Sequence, residues 1–423
     1  MSQKVQKPTL TGQRLRTRKR DEKEKYEPLV FRDAIIAGVN DCTDLDSLTK
    51  FLDTSGNSLN YRRYAEVLFD ILFAGGMLAP GGSIVQDGAD QDKPVKADLC
   101  VFQTEADTAK MREFGQVFDL LLRRYKYLQV PFVDDLEKIL KFLKGFSEDE
   151  RSRLAMITGV LIGMGLVQST SLNNLLGEHL VKEGLSLQFI TEVFLAYVTM
   201  KDINSLTTNL RKGGFSGKLL EVLPSTRRTQ ENFEKHFQDA GLGGIVDMYR
   251  NHQAAGNKKI VETRLIELVS SEADSSEIKE ICADLKKKHD LQDTDILLLI
   301  WKVLMSSMEW SKKEDILAEQ ALKHIKKNAS LLASFSSTPR AQLGLMVKIQ
   351  EYCYEHVSFM KIFHRMVMLL YQSDVIGESA ILQWHKSGHS SKGKSVFLDQ
   401  LKPMIDWLEN AEEESSEDEE DED

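Results

Sequence analysis

Apolar residues recur at intervals of three and four along most of the chain, which is the spacing of one face of an α-helix. The pattern is clearest in residues 117–125, 132–143, 189–198 and 343–354. Several of these stretches are apolar over more than one stripe, as expected for helices packed between neighbours. Because the chain also has only eight prolines in 423 residues, the pattern predicts an all-α fold.

The helical stretches recur in pairs at intervals of tens of residues, which predicts a HEAT-like α-solenoid, although no clean repeat signature is visible. Residues 250–259 are polar, include Gly256, and separate two apolar-rich regions of similar size. They are the predicted linker between two helical domains. We therefore predict an N-terminal helical domain at residues 28–249 and a C-terminal one at residues 250–411.

The two ends of the chain have opposite charge, and the composition of each predicts that it is disordered. Residues 1–27 are rich in lysine and arginine and have few large apolar residues, so they read as a disordered basic arm. Residues 412–423 are almost wholly acidic and cannot bury apolar surface against their own repulsion. They are the predicted acidic, disordered tail.

Membrane spanning and secretion are not expected. The most apolar stretch, residues 154–167, is shorter than the ~18 residues that a spanning helix needs. Its Gly159 and Gly163 favour a buried helix that a neighbour approaches closely. The N-terminus lacks the apolar run of a signal peptide, and four widely spaced cysteines suggest no disulfide framework. These features predict a reducing, cytoplasmic location and no metal site.

Residues 388–395 formally match G-x-x-x-x-G-K-S, the phosphate-binding loop of nucleoside triphosphatases. That loop requires a buried parallel strand before it, so that backbone N–H groups and a helix N-terminus converge on the phosphates. Here the preceding residues, 378–385, have helical spacing. A chance match between two helices is the preferred interpretation, and we predict neither enzymatic activity nor a cofactor. His385 and His389 are four apart but lack a third metal ligand.

The basic arm leaves open an alternative function, in which the protein binds nucleic acid or acts in transcription. Against it, Asp21, Glu22 and Glu24 dilute the positive charge. A basic leucine zipper would need leucine every seventh residue over three or four heptads. The longest such series is Leu45, Leu52 and Leu59, so direct DNA binding through a zipper is not expected.

A helix at residues 396–411 would bury one apolar stripe and leave Trp407 about 100° from its centre. Trp407 then lies at the border of core and solvent, beside a dense negative field. An indole face binds ammonium groups and carboxylates steer their approach, so the site suits lysine-rich partners. An equally weighted alternative places both tryptophans in the core and makes the acidic run merely solubilising. The predicted stripe is Phe397, Leu401, Met404, Ile405 and Leu408.

Aromatic and acidic residues occur together twice in the C-terminal region, and these two groups form the candidate partner-binding site. The first group is Tyr371, Asp374, Glu378 and Trp384; the second is Trp407, Glu409, Glu412, Glu413 and Glu414.

The residues around the two tryptophans resemble the domain with two hallmark tryptophans found in initiation factor five and in the epsilon subunit of the factor-two exchange factor. Within that family, nearly the whole chain is similar to the factor-five mimic proteins, also called basic leucine-zipper and two-tryptophan-domain proteins. The segments that carry the resemblance are residues 7–13, 17–23, 61–65, 78–82, 123–127, 318–324, 381–384, 397–400 and 405–414.

The resemblance implies a HEAT-like fold throughout and two acidic-aromatic boxes that bind lysine boxes on the beta subunit of initiation factor two. It also implies contact with initiation factor three and with the ribosomal pre-initiation complex. The first box has only Asp374 and Glu378 as acids, so the second is expected to contribute more.

Factor five also has a zinc ribbon whose arginine promotes GTP hydrolysis, and this chain lacks the cysteine pairs for one. The resemblance therefore implies a non-catalytic competitor of factor five that controls initiation and start-codon stringency. Ser415 and Ser416 lie three residues before Asp418 and Glu419, a spacing typical of acid-directed kinase sites. Phosphate there would add ~1.5 to 2 negative charges to the same field.

Overall fold

The computed structural model describes residues 25–86 and 96–420, with side chains up to residue 410. Within these residues, helices are the regular secondary structure, and Leu78 pairs with Ile84 as a single antiparallel bridge. The all-α class predicted from the sequence is confirmed. None of the described helices is both long enough and apolar enough to cross a membrane. Most of the predicted basic arm, residues 1–24, lies outside the described residues.

The chain divides into two compact units, Met1–Arg250 and Asn251–Asp423. The first unit, here called the N-terminal unit, has a continuous core from Phe31 to Tyr249. Short 3₁₀ segments connect several of its helices. The helices are α1 (Pro28–Asn40), α2 (Leu45–Ser55), α3 (Ala65–Ala74), α4 (Thr108–Arg124), α5 (Gln129–Lys141), α6 (Glu148–Met164), α7 (Glu178–Val181), α8 (Leu185–Met200), α9 (Ile203–Lys212), α10 (Gln230–Asp239) and the start of α11 (Gly243–Ser270).

The second unit, here called the C-terminal unit, has its own core from Val261 to Leu408. It contains the rest of α11 and seven further helices among the described residues. These are α12 (Ser275–Lys288), α13 (Asp293–Ser306), α14 (Glu314–Ala333), α15 (Pro339–Glu355), α16 (Phe363–Gln372), α17 (Glu378–Gln383) and α18 (Lys394–Glu420).

In each unit a helix packs most closely against the next helix but one. In the N-terminal unit α2 packs on α4, α4 on α6 and α6 on α8; in the C-terminal unit α13 packs on α15 and α15 on α17. Each helix is therefore covered by neighbours on two sides, which explains why several helices are apolar over more than one stripe. This arrangement is the predicted HEAT-like α-solenoid.

The predicted linker, residues 250–259, is helical and lies within α11. Polar side chains in the segment bind the helices beside it: Asn257 Nδ2 donates to the carbonyl of His289 at 3.3 Å, and Lys258 pairs with Asp295 at 2.7 Å. A single glycine such as Gly256 costs a helix only about 1 kcal/mol relative to alanine. The polar composition therefore marks a solvated helix rather than a flexible loop.

Part of the acidic tail that was predicted to be disordered lies within the described backbone. Helix α18 continues to Glu420, which places residues 412–420 in the helix. Glutamate is a good helix former, and propagating a helix that tertiary packing has already nucleated costs little.

The glycines of α6 admit a neighbouring helix, as the sequence predicts. A Cβ atom built on Gly159 would lie 2.9 Å from Ala196 Cβ of α8, and the backbone of Val193 is also in contact. Helix α8 thus approaches α6 closely at this residue. The apolar stretch that resembles a membrane segment is the seam between two helices of the core.

Replacing Gly159 with alanine is expected to destabilise the N-terminal unit by up to about 2 kcal/mol. Alanine gains roughly 1 kcal/mol of helix propensity, but overpacking of a dense core costs about 1 to 3 kcal/mol. Chemical unfolding measures the difference. Gly163→Ala is the matched control, since its Cβ would meet Met200 Sδ at an ordinary 3.5 Å, so it should be neutral or stabilising. Equal effects of the two substitutions would contradict the close approach.

Candidate functional site

Helix α18 buries one stripe of side chains and exposes the opposite side. Trp407 lies off that stripe and is 55% exposed, which makes it one of the most exposed large apolar side chains of the described residues. Of the two open alternatives for this tryptophan, the structure therefore supports the one with an accessible indole. The five residues of the predicted stripe, Phe397, Leu401, Met404, Ile405 and Leu408, are all buried, as predicted.

Tyr371 and Trp407 bring the two aromatic-acidic groups together. Their ring centroids are 6.3 Å apart and their planes are nearly perpendicular, at 81°. Tyr371 is half-buried on α16, which packs against α18. Such an edge-to-face contact holds the exposed indole in a defined orientation without covering it.

The turn after α16 presents the first acidic residue of the site. Asp374 has a φ of 55°, in the left-handed region, and the N–H of Val375 donates to the carbonyl of Leu370 at 2.9 Å. This is a helix C-terminal cap in which aspartate takes the position usually given to glycine. The side chain of Asp374 is exposed.

The carboxylates of this region have no ion pair with any described cation. Asp374 and Glu409 are exposed, and Glu378 is half-buried at the start of α17. Asp406, which directly precedes Trp407 and was not among the predicted site residues, is also exposed. Carboxylates without internal partners are available to an incoming cation, so the surface has an uncompensated negative charge.

Trp384 was predicted as a partner-binding residue, and the structure places it in the core instead. Its side chain is fully buried, and its ring packs against Phe363 at 5.5 Å between centroids. The indole Nε1 donates to Gln350 Oε1 at 3.1 Å. Trp384 is therefore a structural residue, and the two tryptophans of the resemblance occupy opposite environments.

Gln350, fully buried on α15, was not identified from the sequence as a site residue. Its Oε1 also accepts from the N–H of Ser390 at 2.9 Å, and its Nε2 donates to the carbonyls of Ser390 and Lys392 at 2.9 and 2.8 Å. One amide side chain thus binds the indole of Trp384 and the loop before α18. In the sequence, Gln350 stands out only as a polar residue at a position where the helical pattern predicts burial.

Residues 388–395 match the phosphate-binding motif in sequence, but their structure differs from that of a phosphate-binding loop. A helix, α17, and a π-helical turn at Trp384–Gly388 precede the segment. The N–H of Ser390 is bonded to Gln350, and Lys392 pairs with Glu355 at 2.8 Å. These groups hold the loop to α15, and the segment lacks the strand-to-helix geometry that a phosphate cradle needs. The interpretation as a chance match is supported.

The histidines near this loop show no metal-binding arrangement. His389 Nδ1 lies 3.0 Å from the carbonyl oxygen of Trp384, and both His385 and His389 are half-buried. No group of three or more potential ligands that could hold a metal occurs among the described residues.

The remaining predicted site residues lie in the last part of α18, where the side chains are outside the described part of the chain. They are Glu412, Glu413, Glu414 and the predicted phosphorylation sites Ser415 and Ser416. Their sequence positions follow Trp407 directly along the same helix.

Two family models match the chain. The model described as "5MP1/2 HEAT domain" covers residues 15–259, and the model described as W2, "eIF4-gamma/eIF5/eIF2-epsilon", covers residues 341–418. The first match spans the N-terminal unit and the second contains Tyr371, Trp384 and Trp407.

Curated relatives match over almost the whole chain. It is 48% identical to human eIF5-mimic protein 1 over 413 residues, covering 97% of this chain and 98% of the relative. It is 49% identical to eIF5-mimic protein 1 of Danio rerio over 420 residues, covering 99% of both chains. It is 46% identical to eIF5-mimic protein 2 of Gallus gallus over 416 residues, covering 98% of both. The chain belongs to the eIF5-mimic protein family, a family of translation initiation regulators built from HEAT and W2 domains.

Proposed function

We propose that this chain is a non-catalytic, cytoplasmic regulator of translation initiation that captures lysine-rich segments of initiation factors on its C-terminal unit. The observation that carries the proposal is Trp407, an exposed indole held edge to face against Tyr371 beside carboxylates that have no described ion-pair partner. We call Tyr371, Asp374, Asp406, Trp407 and Glu409 the capture surface.

The capture surface combines two attractions that suit lysine. An ammonium group over an indole face gains about 0.5 to 2 kcal/mol, depending on how far it is desolvated. The surrounding carboxylates raise the local concentration of cations and speed association. The sequence strengthens this field, because residues 406–423 contain twelve acidic residues and no basic one. Glu412, Glu413 and Glu414 are the nearest of the tail residues to Trp407 in sequence.

The two predicted boxes contribute differently to capture. Trp407 and Tyr371 supply the aromatic contact, with Asp374 and Glu409 as exposed acids, whereas Glu378 is half-buried. Trp384 acts indirectly, because it holds the loop that leads into α18. A lysine-rich peptide would therefore lie across the C-terminal end of α16 and the middle of α18.

The partners we propose are the beta subunit of initiation factor two, through its lysine-rich boxes, and initiation factor three. Relatives named as mimics of factor five support competition for the sites that factor five uses. The sequence has no C-x-x-C pair with which to build a zinc ribbon. Occupying factor-five sites without the ribbon would damp initiation or raise the stringency of start-codon choice.

Trp407→Ala is expected to weaken binding of a lysine-box peptide by roughly 5- to 30-fold, the loss of one desolvated cation–π contact. Isothermal titration calorimetry with the full chain gives the affinity. Reversing Glu412, Glu413 and Glu414 to lysine in addition should abolish detectable binding. Affinity should also fall with added salt, because exposed charges are screened beyond ~8 Å at physiological ionic strength.

The matched control is Val396→Ala, which removes another exposed apolar side chain from α18 and should leave the affinity unchanged. The unfolding temperature of Trp407→Ala should fall only slightly below that of the unmodified chain, since the indole is 55% exposed and packs edge to face on Tyr371. Undiminished peptide binding by Trp407→Ala would overturn the proposal.

A further inference from the structure

The N-terminal unit has another candidate binding surface, which consists of aromatic and basic residues and is far in sequence from the acidic capture surface. Its parts are two similar motifs, Tyr-Arg-Arg-Tyr at residues 61–64 and Arg-Arg-Tyr-Lys-Tyr at residues 123–127. The fold brings them together: the rings of Tyr61 and Tyr125 lie 5.4 Å apart and nearly perpendicular. The guanidinium of Arg62 lies over the ring of Tyr127, 4.7 Å from its centroid.

A row of parallel rings extends this surface toward the start of the described chain. Phe31 stacks on Tyr64 at 4.9 Å, and Tyr64 stacks on Tyr26 at 5.2 Å, both with planes about 20° apart. The guanidinium of Arg63 lies within 6 Å of the rings of Tyr26 and Tyr64. The row ends at Tyr26, which is 56% exposed. We call Tyr26, Arg62, Arg63, Tyr64 and Tyr127 the tyrosine–arginine surface.

The basic residues of this surface outnumber its acids, so its net charge is positive. Glu27 pairs with Lys25 at 3.3 Å, and Glu66 shares Lys138, at 3.0 Å, with the buried Asp70 and Asp135. Arg62 and Lys126 are exposed and have no ion pair with any described residue. These two cations are therefore available to an anionic ligand.

The sequence that leads into Tyr26 adds to the positive charge. It contains nine basic residues against three acidic ones: Lys4, Lys7, Arg14, Arg16, Arg18, Lys19, Arg20, Lys23 and Lys25, with Asp21, Glu22 and Glu24.

We propose that the tyrosine–arginine surface binds single-stranded RNA. Unpaired bases stack on exposed tyrosine rings and on guanidinium planes, while free cations bind the phosphates. Tyr26 and the Arg62–Tyr127 pair are two such stacking positions, and Lys126 lies beside Tyr127 in the chain. The surface features suit any single-stranded nucleic acid, and we choose RNA over DNA because the family regulates translation initiation. The inference goes beyond the proposed function, because it concerns the other unit and a different ligand.

Planar stacking favours RNA over an acidic peptide as the occupant. An acidic peptide would need the cations but would gain little from parallel rings, because carboxylates have no face to stack. A duplex would satisfy the phosphates but keeps its bases stacked inside. The exposed ring of Tyr26 and the Arg62–Tyr127 pair offer flat faces, and Arg62 and Lys126 offer positive charge, which together suit a ligand that has both flat bases and phosphates.

The test is fluorescence anisotropy of the full chain with a labelled oligouridine of about twelve nucleotides, within the usual site size for single strands. Tyr26→Leu and Tyr127→Leu are each expected to weaken binding on the order of tenfold through lost stacking. Arg62→Ala should weaken it as well and should lower the slope of log affinity against log salt by ~0.7, the value for one phosphate contact on a single strand. Arg62→Lys keeps the charge, so it should keep the slope but lose the stacking contribution.

The control is Arg211→Ala, which removes an exposed arginine from α9 of the same unit and should change the affinity little. Thermal unfolding of each variant verifies that the fold is intact. Three results would overturn the proposal: tyrosine variants that bind like the unmodified chain, equal affinity for a duplex of the same length, or a glutamate-rich peptide that binds as well as RNA and is lost with the same variants. Trp407→Ala should leave RNA binding unchanged, so the two proposals can fail separately.

Discussion

Replacing Lys138 with methionine is expected to destabilise the N-terminal unit by about 3 to 5 kcal/mol at neutral pH, the usual cost of leaving buried charges without their partner. Lys138 Nζ lies 2.6 Å from Asp70 Oδ1 and 2.7 Å from Asp135 Oδ1, and Glu66 is at 3.0 Å. The side chains of Asp70 and Asp135 are almost fully buried. The two interior carboxyl groups thus share one ammonium group, which ties α5 to α3.

The acid groups of this cluster are held at unusual pKa values. Burial raises the pKa of Asp70 to about 6, against the attraction of Lys138 and a hydrogen bond from the N–H of Leu78 at 2.9 Å. Burial also raises the pKa of Asp135 well above its ordinary value, and the charge of Asp70 adds to the effect. The two carboxylates raise the pKa of Lys138 in turn, which keeps it charged.

The raised pKa values of Asp70 and Asp135 determine how the stability of the N-terminal unit depends on pH. A carboxyl whose pKa is higher in the folded state binds its proton more tightly there than in the unfolded chain. The contribution of Asp70 to the free energy of unfolding is therefore complete below about pH 4, where the carboxyl is protonated in both states. This contribution is lost as the pH rises through about 6. Without Lys138 the folded-state pKa values rise further. The loss in free energy of unfolding caused by Lys138→Met should therefore be smallest in mild acid and grow toward neutral pH. Urea unfolding at several pH values measures this loss.

Lys141→Met is the matched control, because Lys141 lies one turn further along α5 and is exposed. It should change the free energy of unfolding by less than about 0.5 kcal/mol. Adding Asp135→Asn to Lys138→Met should recover part of the loss, since one buried charge is then removed. Equal stability of the two lysine variants would show that the cluster does not hold the helices together.

The sequence was sufficient to predict the helices and the stripe of α18 because burial repeats with the helical period. Phe132, Leu136, Ile139 and Leu140 are all buried as their spacing requires. Leu120 departs from that rule: it lies at the edge of its stripe, is 50% exposed, and lines a groove between α2 and α4 with Thr49. Periodicity gives the direction of a side chain, whereas exposure at the edge depends on how close the next helix comes.

The candidate site was less predictable, since residue type does not distinguish the two tryptophans. Helical geometry correctly placed Trp407 at the solvent side of α18, because its neighbours in the stripe fixed the orientation of the helix. Trp384 begins the π-helical turn after the six-residue helix α17, so only the short apolar series of Ala380 and Ile381 was available to indicate its direction. Its environment depends on Gln350, a residue 34 positions away in the chain. Long-range polar contacts of this kind have no periodic signal.

Trp384→Ala is expected to destabilise the C-terminal unit by about 3 to 5 kcal/mol, as usual for removing a large aromatic side chain from a core. The substitution leaves a cavity beside Phe363, which also packs against Phe397 of α18 at 4.7 Å. It also removes the donor to Gln350 Oε1 and loosens the contacts of Gln350 with the loop before α18. Urea unfolding, together with proteolysis of the loop at residues 388–393, would measure both effects.

Trp384→Phe separates packing from hydrogen bonding. It keeps most of the ring but loses the indole donor, so it should cost about 1 to 2 kcal/mol and should bind the lysine-box peptide normally while folded. Trp407→Ala should do the reverse, with a small loss of stability and clearly weakened binding, because its indole is 55% exposed and packs edge to face on Tyr371. If Trp384→Phe impaired peptide binding without loss of stability, Trp384 would have to contact the partner directly, contrary to its position in the core.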